Sequence, residues 1–246
     1  MNVRRAAAEA MGTFFLVLVG TGTIMADDHL DGAIGPVGIA LAFGLVVMGM
    51  IHATRHLSGA HLNPAVTIGL WSTGRFPAGS VPAYLSAQLT GAVAASACLA
   101  VLRAQLSGAQ PAAPNAPSSS IAPSLPLSLG VTTSHVGPAL GLLVEFVLTF
   151  ALMFVILAMA TDARAPAGLA PLAIGATVAF DALLGGALTG ASMNPARSFG
   201  PALITGEWAQ HWIYWVGPVA GALVAAPVYD WLRAVSNQPA MPPPQP

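Results

Sequence analysis

Residues 58–65 read Ser-Gly-Ala-His-Leu-Asn-Pro-Ala, and residues 189–196 read Thr-Gly-Ala-Ser-Met-Asn-Pro-Ala. Five of the eight positions are identical, and the Ser/Thr and Leu/Met pairs are similar. In each copy an Asn stands before a Pro. Asn is a strong helix N-cap, and Pro is favoured at the first helical position, where a missing N–H costs nothing. Asn63-Pro64 and Asn194-Pro195 therefore each predict a helix start. The apolar runs that follow, 64–72 and 195–204, are short. Ten helical residues rise about 15 Å, half of a hydrocarbon core of about 30 Å. Each run predicts a half-helix that cannot cross a membrane alone.

The rest of the chain says that there is a membrane to cross. Only 7% of the 246 residues are charged, 55% are hydrophobic, and the mean hydropathy is +0.73. Soluble domains carry about 25% charged residues. Eight Arg, no Lys and nine acidic residues are too few to wet the surface of a 24.8 kDa globule. A net charge of −1 argues against a nucleic-acid partner, since such binding rests on phosphate neutralisation. One cysteine, Cys98, excludes an internal disulfide and a cysteine-built metal site. Few aromatics beside 26 Gly and 21 Pro fit a β-barrel poorly. An all-α membrane protein remains. Six segments near 6–26, 34–54, 82–103, 138–160, 168–188 and 211–232 are long and apolar enough to span.

Six spans put both chain ends on one side. Arg4, Arg5, Arg55, Arg75, Arg164 and Arg233 then fall on that side, and Arg103 falls opposite. The excess of arginine predicts cytoplasmic termini. The Arg4-Arg5 start resembles a signal peptide, but the apolar run is too long for one. One domain is expected over 1–233, with repeats near 5–105 and 137–233. A Pro/Ser/Ala-rich extracytoplasmic loop is expected over 106–136, and a disordered Pro-rich tail over 234–246.

The quoted octapeptides belong to a longer repeat, since Glu9 in the first span matches Glu145 in the fourth. Three spans separate the copies. Three is odd, so the second copy enters the membrane from the opposite face. Inverted repeats of this kind place their site at the midplane, where helices are broken. Irregular backbone at that depth is tolerated only inside protein or along a water-filled cavity. Two half-helices meeting N-terminus to N-terminus predict a narrow polar path beside Asn63 and Asn194.

These motifs resemble those of the aquaporin, or major intrinsic protein, family. The string His61-Leu62-Asn63-Pro64-Ala65, the string Asn194-Pro195-Ala196-Arg197-Ser198 and the three-span repeat carry the resemblance, which covers about residues 4–233. It implies six transmembrane helices and two re-entrant half-helices in inverted repeats. It implies a passive channel for water, and for small neutral solutes such as glycerol, ammonia or undissociated metalloid acids. It further implies a homotetramer in the cell membrane, with no cofactor, metal or catalysis.

The physics of the junction agrees with that expectation. Each helix N-terminus carries about half a positive charge, so two facing one point repel cations. The Asn63 and Asn194 amides can donate to a water oxygen. A water so held can donate onward but not accept, which breaks a proton wire. Arg197, one turn into the second half-helix, is a costly charge at depth and a functional candidate by default. By resemblance it belongs to a constriction with Phe43, Ala182 and Ala191. A water-only bacterial relative would carry His at position 182; Ala there predicts a wider, more apolar filter. Ser198, Ala202 and Tyr214-Trp215 instead resemble the water-channel pattern. Thr189-Gly190-Ala191-Ser192-Met193 resembles nodulin-type channels.

Backbone carbonyls of Gly59, Ala60 and His61, and of Gly190, Ala191 and Ser192, are expected to line the remaining path. Gly there permits an unwound chain. By resemblance Glu9 and Glu145 accept hydrogen bonds from the two re-entrant loops. His61 is expected at the cytoplasmic vestibule, near His52 and His56, as a packed residue rather than a switch. Asp181, mid-span beside Ala182, is either paired within the bundle or exposed to the path. A secondary transporter would also use inverted repeats and broken helices, but it would normally carry coupling carboxylates, for which only Asp181 is a candidate. A closed structural protein and an enzyme are further alternatives. No nucleophile–base pair, phosphate loop or metal cluster supports the last.

Overall fold

The computed structural model describes residues 3–108 and 128–235. Eight α-helices stand among them: α1 (Val3–His29), α2 (Gly35–Ser58), α3 (Pro64–Ser72), α4 (Val81–Gly108), α5 (Pro138–Ile156), α6 (Ala170–Thr189), α7 (Pro195–Thr205) and α8 (Ile213–Val235). A 3-10 turn, Ala78–Ser80, leads into α4, and a π-helical turn, Leu157–Thr161, ends α5. The helices exceed the expected spans by a few residues at most ends. The expected loop 106–136 is shorter, because α4 runs to Gly108. Residues 109–127, in that loop, and the tail from 236 lie outside the described residues.

Five helices meet both length and hydropathy requirements for a membrane span. The sixth spanning helix, α8, is diluted by Tyr214, Trp215, Pro218, Pro227, Asp230 and Arg233. Its 23 residues still rise about 34 Å, enough to cross.

The repeat is visible in the packing. In the first half α1 lies along α4 and α2; in the second, α5 lies along α8 and α6. The α2–α6 contact joins the halves. Small residues allow this closeness. A β-carbon added at Gly221 would meet the Phe146 carbonyl oxygen across the α5–α8 seam. Lipid supplies no hydrophobic drive between helices, so such close van der Waals approach is what holds them.

The half-helices α3 and α7 have nine and eleven residues, and both begin where their Asn-Pro pairs predict. Set end to end, they amount to about 30 Å, one crossing assembled from two pieces.

Candidate functional site: two re-entrant loops and a pore

Each loop before a half-helix is strained in the same way. α2 ends at Gly59 with φ +98°, and Ala60 and Leu62 follow at +52°. α6 ends at Gly190 with φ +81°, and Ala191 and Met193 follow at +43° and +53°. Left-handed backbone at a non-glycine residue costs about 1–2 kcal/mol. Two such residues per loop need compensation.

The compensation is a buried carboxylate under each loop. Glu9, on α1, accepts from Ser58 Oγ (2.7 Å), His61 N (3.0 Å), Leu62 N (2.7 Å) and Gln88 Nε2 (2.8 Å). Glu145, on α5, accepts from Thr189 Oγ1 (2.7 Å), Ser192 N (2.9 Å) and Met193 N (2.8 Å). Both glutamates are fully buried. The left-handed residues turn consecutive N–H groups toward one carboxylate, which a helix or strand would not do. Two tyrosines complete the brace: Tyr84 on α4 donates to the Ser58 carbonyl (2.6 Å), and Tyr214 on α8 to the Thr189 carbonyl (2.9 Å). Tyr84 and Gln88 escaped sequence reading. The usable signal was Tyr84 lying 21 residues after Asn63 while Tyr214 lies 20 after Asn194.

The asparagines meet at the centre. Asn63 Nδ2 donates to the Met193 carbonyl (2.7 Å), and Asn194 Nδ2 donates to the Leu62 carbonyl (2.8 Å). Asn63 Oδ1 accepts from Ala65 N (2.9 Å); Asn194 Oδ1 accepts from Ala196 N (3.0 Å) and, more weakly, Arg197 N (3.4 Å). Capping and pore placement are thus combined in one side chain. One hydrogen of each amide crosses to the opposite loop, and an amide carries two. Pro64 and Pro195 occupy the first helical positions, and Ala65 and Ala196 are fully buried behind them.

A cavity of about 280 Å³ runs from the face where α1 begins and α8 ends up to this junction. Its walls are apolar: Val47, Ile51, Leu152, Ile174 and Val178. Gly59, Ala60, His61 and Leu62 border one side; Phe43 and Asn194 border the inner end. His61 both lines the cavity and packs, 4.6 Å from the Phe76 ring and 5.0 Å from the Tyr84 ring. At the mouth Arg55 donates to the Ala160 carbonyl (3.2 Å). Arg75 grips Asp230 through two bonds (3.0 and 2.5 Å) and reaches Thr161 Oγ1 (3.2 Å). Sequence reading used these arginines only to orient the chain; the tertiary fold puts them on the mouth.

Beyond the junction, Arg197 is buried on α7 with its guanidinium 5.1 Å from the centre of the Phe43 ring. Its Nη1 donates to the Gly130 carbonyl (2.6 Å). The end of the long loop therefore folds inward against Arg197 and α7: Thr132 donates to Ser198 Oγ (2.8 Å), and His135 N to the Leu188 carbonyl (2.9 Å). Ser192 Oγ donates to the Asn194 carbonyl (2.9 Å) and lies 2.6 Å from Ser198 Oγ. Ala191 is buried, and Ala182 is partly buried against the same core. Gly190, Ala191 and Ser192 do not border the cavity, which ends before them. Asp181 is buried, with no hydrogen-bond partner for Oδ2.

The model of the major intrinsic protein family matches residues 1–229. The chain belongs to that family. It is 42% identical over 237 residues to Aquaporin NIP1-1 of Oryza sativa subsp. japonica, covering 96% of this chain and 76% of the relative. It is 41% identical to Aquaporin Z of Bradyrhizobium diazoefficiens, covering 94% of each chain. It is 40% identical to Nodulin-26 of Glycine max, covering 94% of this chain and 78% of the relative. The X-ray structure of the aquaglyceroporin from Plasmodium falciparum superposes with a TM-score of 0.78 at 27% identity, covering 95% of this chain and 98% of that one. The protein is thus a multi-pass membrane channel of the aquaporin type, from a family of channels and not of enzymes.

Proposed function

We propose that this aquaporin conducts water and small uncharged solutes in single file while excluding protons and ions. The observation that carries the reading is the filter composition. Phe43 and Arg197 pack against each other, and the other two positions, 182 and 191, are alanine. An alanine in place of a histidine both widens the passage and removes a polar partner. Glycerol, ammonia and undissociated metalloid acids are the solute class for such a gap. Likeness to Nodulin-26 and to an aquaglyceroporin supports it.

In this reading the remaining Asn63 and Asn194 hydrogens donate to a passing water, and the α3 and α7 N-termini repel cations there. Arg197 donates to permeants and repels cations a second time. Carbonyls of Gly59, Ala60 and His61, and of Gly190, Ala191 and Ser192, accept hydrogen bonds along the way. Glu9 and Glu145 keep both loops rigid. The channel is a homotetramer with one pore per subunit, in the cell membrane, with cytoplasmic termini. The arginine distribution supports that orientation.

Stopped-flow light scattering on proteoliposomes tests it. Fast water flux with glycerol, urea and ammonia fluxes well above empty vesicles is expected. Fast water flux with all three at background would leave a water-only channel, the reading favoured by Ser198, Ala202 and Tyr214-Trp215.

A further inference from the structure

The Arg197 guanidinium is rich in donors, yet the structure ties it down at a single point. Its Nη1 donates to the Gly130 carbonyl (2.6 Å), the only hydrogen bond of this side chain among the described residues. The Phe43 ring lies 5.1 Å away, and Nε is sealed without a partner. A ring face attracts a cation without choosing among its N–H groups. The Gly130 carbonyl therefore fixes where the guanidinium points.

What fixes that carbonyl lies two residues on. Residues 128–134 have no helix or strand, yet Leu129, Gly130 and Thr132 are buried. Buried irregular backbone needs partners of its own. Gly130 N donates to Ser128 Oγ (2.9 Å). At φ +68° a β-carbon on Gly130 would run into the Thr21 side chain of α1. Thr132 Oγ1 donates to Ser198 Oγ (2.8 Å), and Ser198 follows Arg197 directly on α7. A ring is thereby closed: from Gly130 along the chain to Thr132, across to Ser198, back to Arg197, and from its Nη1 to Gly130. Without the Thr132–Ser198 bond, the hydrogen bonds from this loop to α7 among the described residues come down to the Arg197 bond itself. Ser198 Oγ also lies 2.6 Å from Ser192 Oγ, which donates to the Asn194 carbonyl (2.9 Å). With Thr132 donating to Ser198, the Ser198 hydrogen goes to Ser192. One chain of hydroxyls thus runs from the loop to the carbonyl of the capping asparagine.

We propose that Thr132 is a positioning residue for Arg197: its hydroxyl holds the Gly130 carbonyl in place, and that carbonyl aims the remaining Arg197 N–H groups at the passing solute. The solutes that depend on this aim are small neutral molecules with acceptor oxygens, short polyols above all. With alanine at 182 and 191 and phenylalanine at 43, Arg197 is the hydrogen-bonding side chain of the four filter positions, so its direction carries the polar contact. A donor fixed beforehand gives the solute its hydrogen bond without the cost of ordering the side chain. This rests on the reading of Arg197 above as a donor to permeants.

The test measures glycerol and water permeability on the same proteoliposomes for the wild type, Thr132→Val, Thr132→Ser, Ser198→Ala and Arg197→Gln. Water flux serves as the measure of folded, inserted channel. Thr132→Val keeps the shape of the side chain and removes the hydroxyl; Thr132→Ser keeps the hydroxyl. A hydrogen bond is worth about three- to tenfold in passage, so Thr132→Val is expected to lower the glycerol-to-water ratio by that much. Thr132→Ser should restore the wild-type ratio, and Ser198→Ala, which removes the acceptor, should match Thr132→Val. An unchanged ratio in Thr132→Val overturns the proposal, even where both permeabilities fall together. A raised ratio overturns it too, as does a Thr132→Ser ratio as low as that of Thr132→Val. If Thr132→Val gives no folded channel, Ser198→Ala decides: a lowered ratio supports the proposal and an unchanged one overturns it. A wild type that passes water but no glycerol overturns the broad filter and this proposal together. A wild type that passes both, with Arg197→Gln unchanged in ratio, overturns the donor role of Arg197 and this proposal with it. A changed ratio in Arg197→Gln beside an unchanged one in Thr132→Val overturns this proposal alone.

Discussion

Asn63 Nδ2 and the Met193 carbonyl oxygen are joined over 2.7 Å across 130 residues of chain. The reciprocal bond, Asn194 Nδ2 to the Leu62 carbonyl, spans 132. Each loop is thus pinned by the helix cap of the other. Each asparagine is capped within its own half, but the crossing bonds form only when both halves have packed.

Loss of either buried glutamate should strip partners from consecutive N–H groups. Leaving buried polar groups unsatisfied costs about 1–3 kcal/mol each. Glu9→Ala should destabilise more than Glu145→Ala, because it strips three donors of their partner against two, Gln88 Nε2 and Thr189 Oγ1 each keeping a second acceptor. Thermal unfolding of the detergent-solubilised channel reads the order, and equal midpoints would contradict it.

Tyr84→Phe and Tyr214→Phe should each remove one bond to a loop carbonyl while keeping the ring. A loss of about 0.5–1.5 kcal/mol is expected from each. The two should be similar, because the bonds occupy matching places in the repeat. Denaturation midpoints of the two variants measure this.

Ala182→His should narrow the filter and restore a polar partner at its mouth. Glycerol and urea permeability should fall by at least about tenfold, the effect of roughly 1.4 kcal/mol, while water flux stays within about a factor of three. Proteoliposome flux is the measurement. Undiminished glycerol flux would show that position 182 does not set the limit.

Gly221→Leu should force apart the α5–α8 seam, where even a β-carbon meets the Phe146 carbonyl. Overpacking costs about 1–3 kcal/mol, more where backbone must move. A lower yield of folded channel and a lower unfolding temperature are expected. The same change at Gly49, where a β-carbon meets nothing within 4 Å, is the control and should be tolerated.

In the loop after the π turn, hydrogen bonds from Arg164 and Tyr229 hold the Asp162 carboxyl well below its usual range. A carboxylate depressed in this way contributes stability that is fully present above its unfolded value of about 4. It is lost only as pH falls through the lower folded value. Asp162→Asn should therefore lower the unfolding temperature at pH 7 and at pH 5 alike, and the difference from wild type should shrink only below about pH 4. A difference that vanished by pH 6 would refute the assignment.

Much of the fold was legible because its signals are local or periodic. Asn before Pro marks a helix start wherever it occurs, and α3 and α7 begin at Pro64 and Pro195 as that rule requires. The matching octapeptides and an odd number of intervening spans fix the inversion by counting alone. Glu9 and Glu145 stood out because charge is rare in a span. Arg55 and Arg75 at the mouth, the Gly130 carbonyl on Arg197 and the Tyr84–Gln88 brace were not legible. Each depends on which distant residues the packing brings within about 3 Å, and no period or motif carries that.

By itself, then, the sequence determined the number of crossings, the two broken ones and the residues at their breaks, because burying backbone in lipid leaves only hydrogen-bonded helices and shielded gaps. Tertiary structure alone decided what each polar side chain satisfies. Asp181 shows the difference. In the sequence it is one acidic residue in a span; only the packed bundle separates it from the two braced glutamates, because a hydrogen bond is a relation between atoms that the chain brings together only when folded.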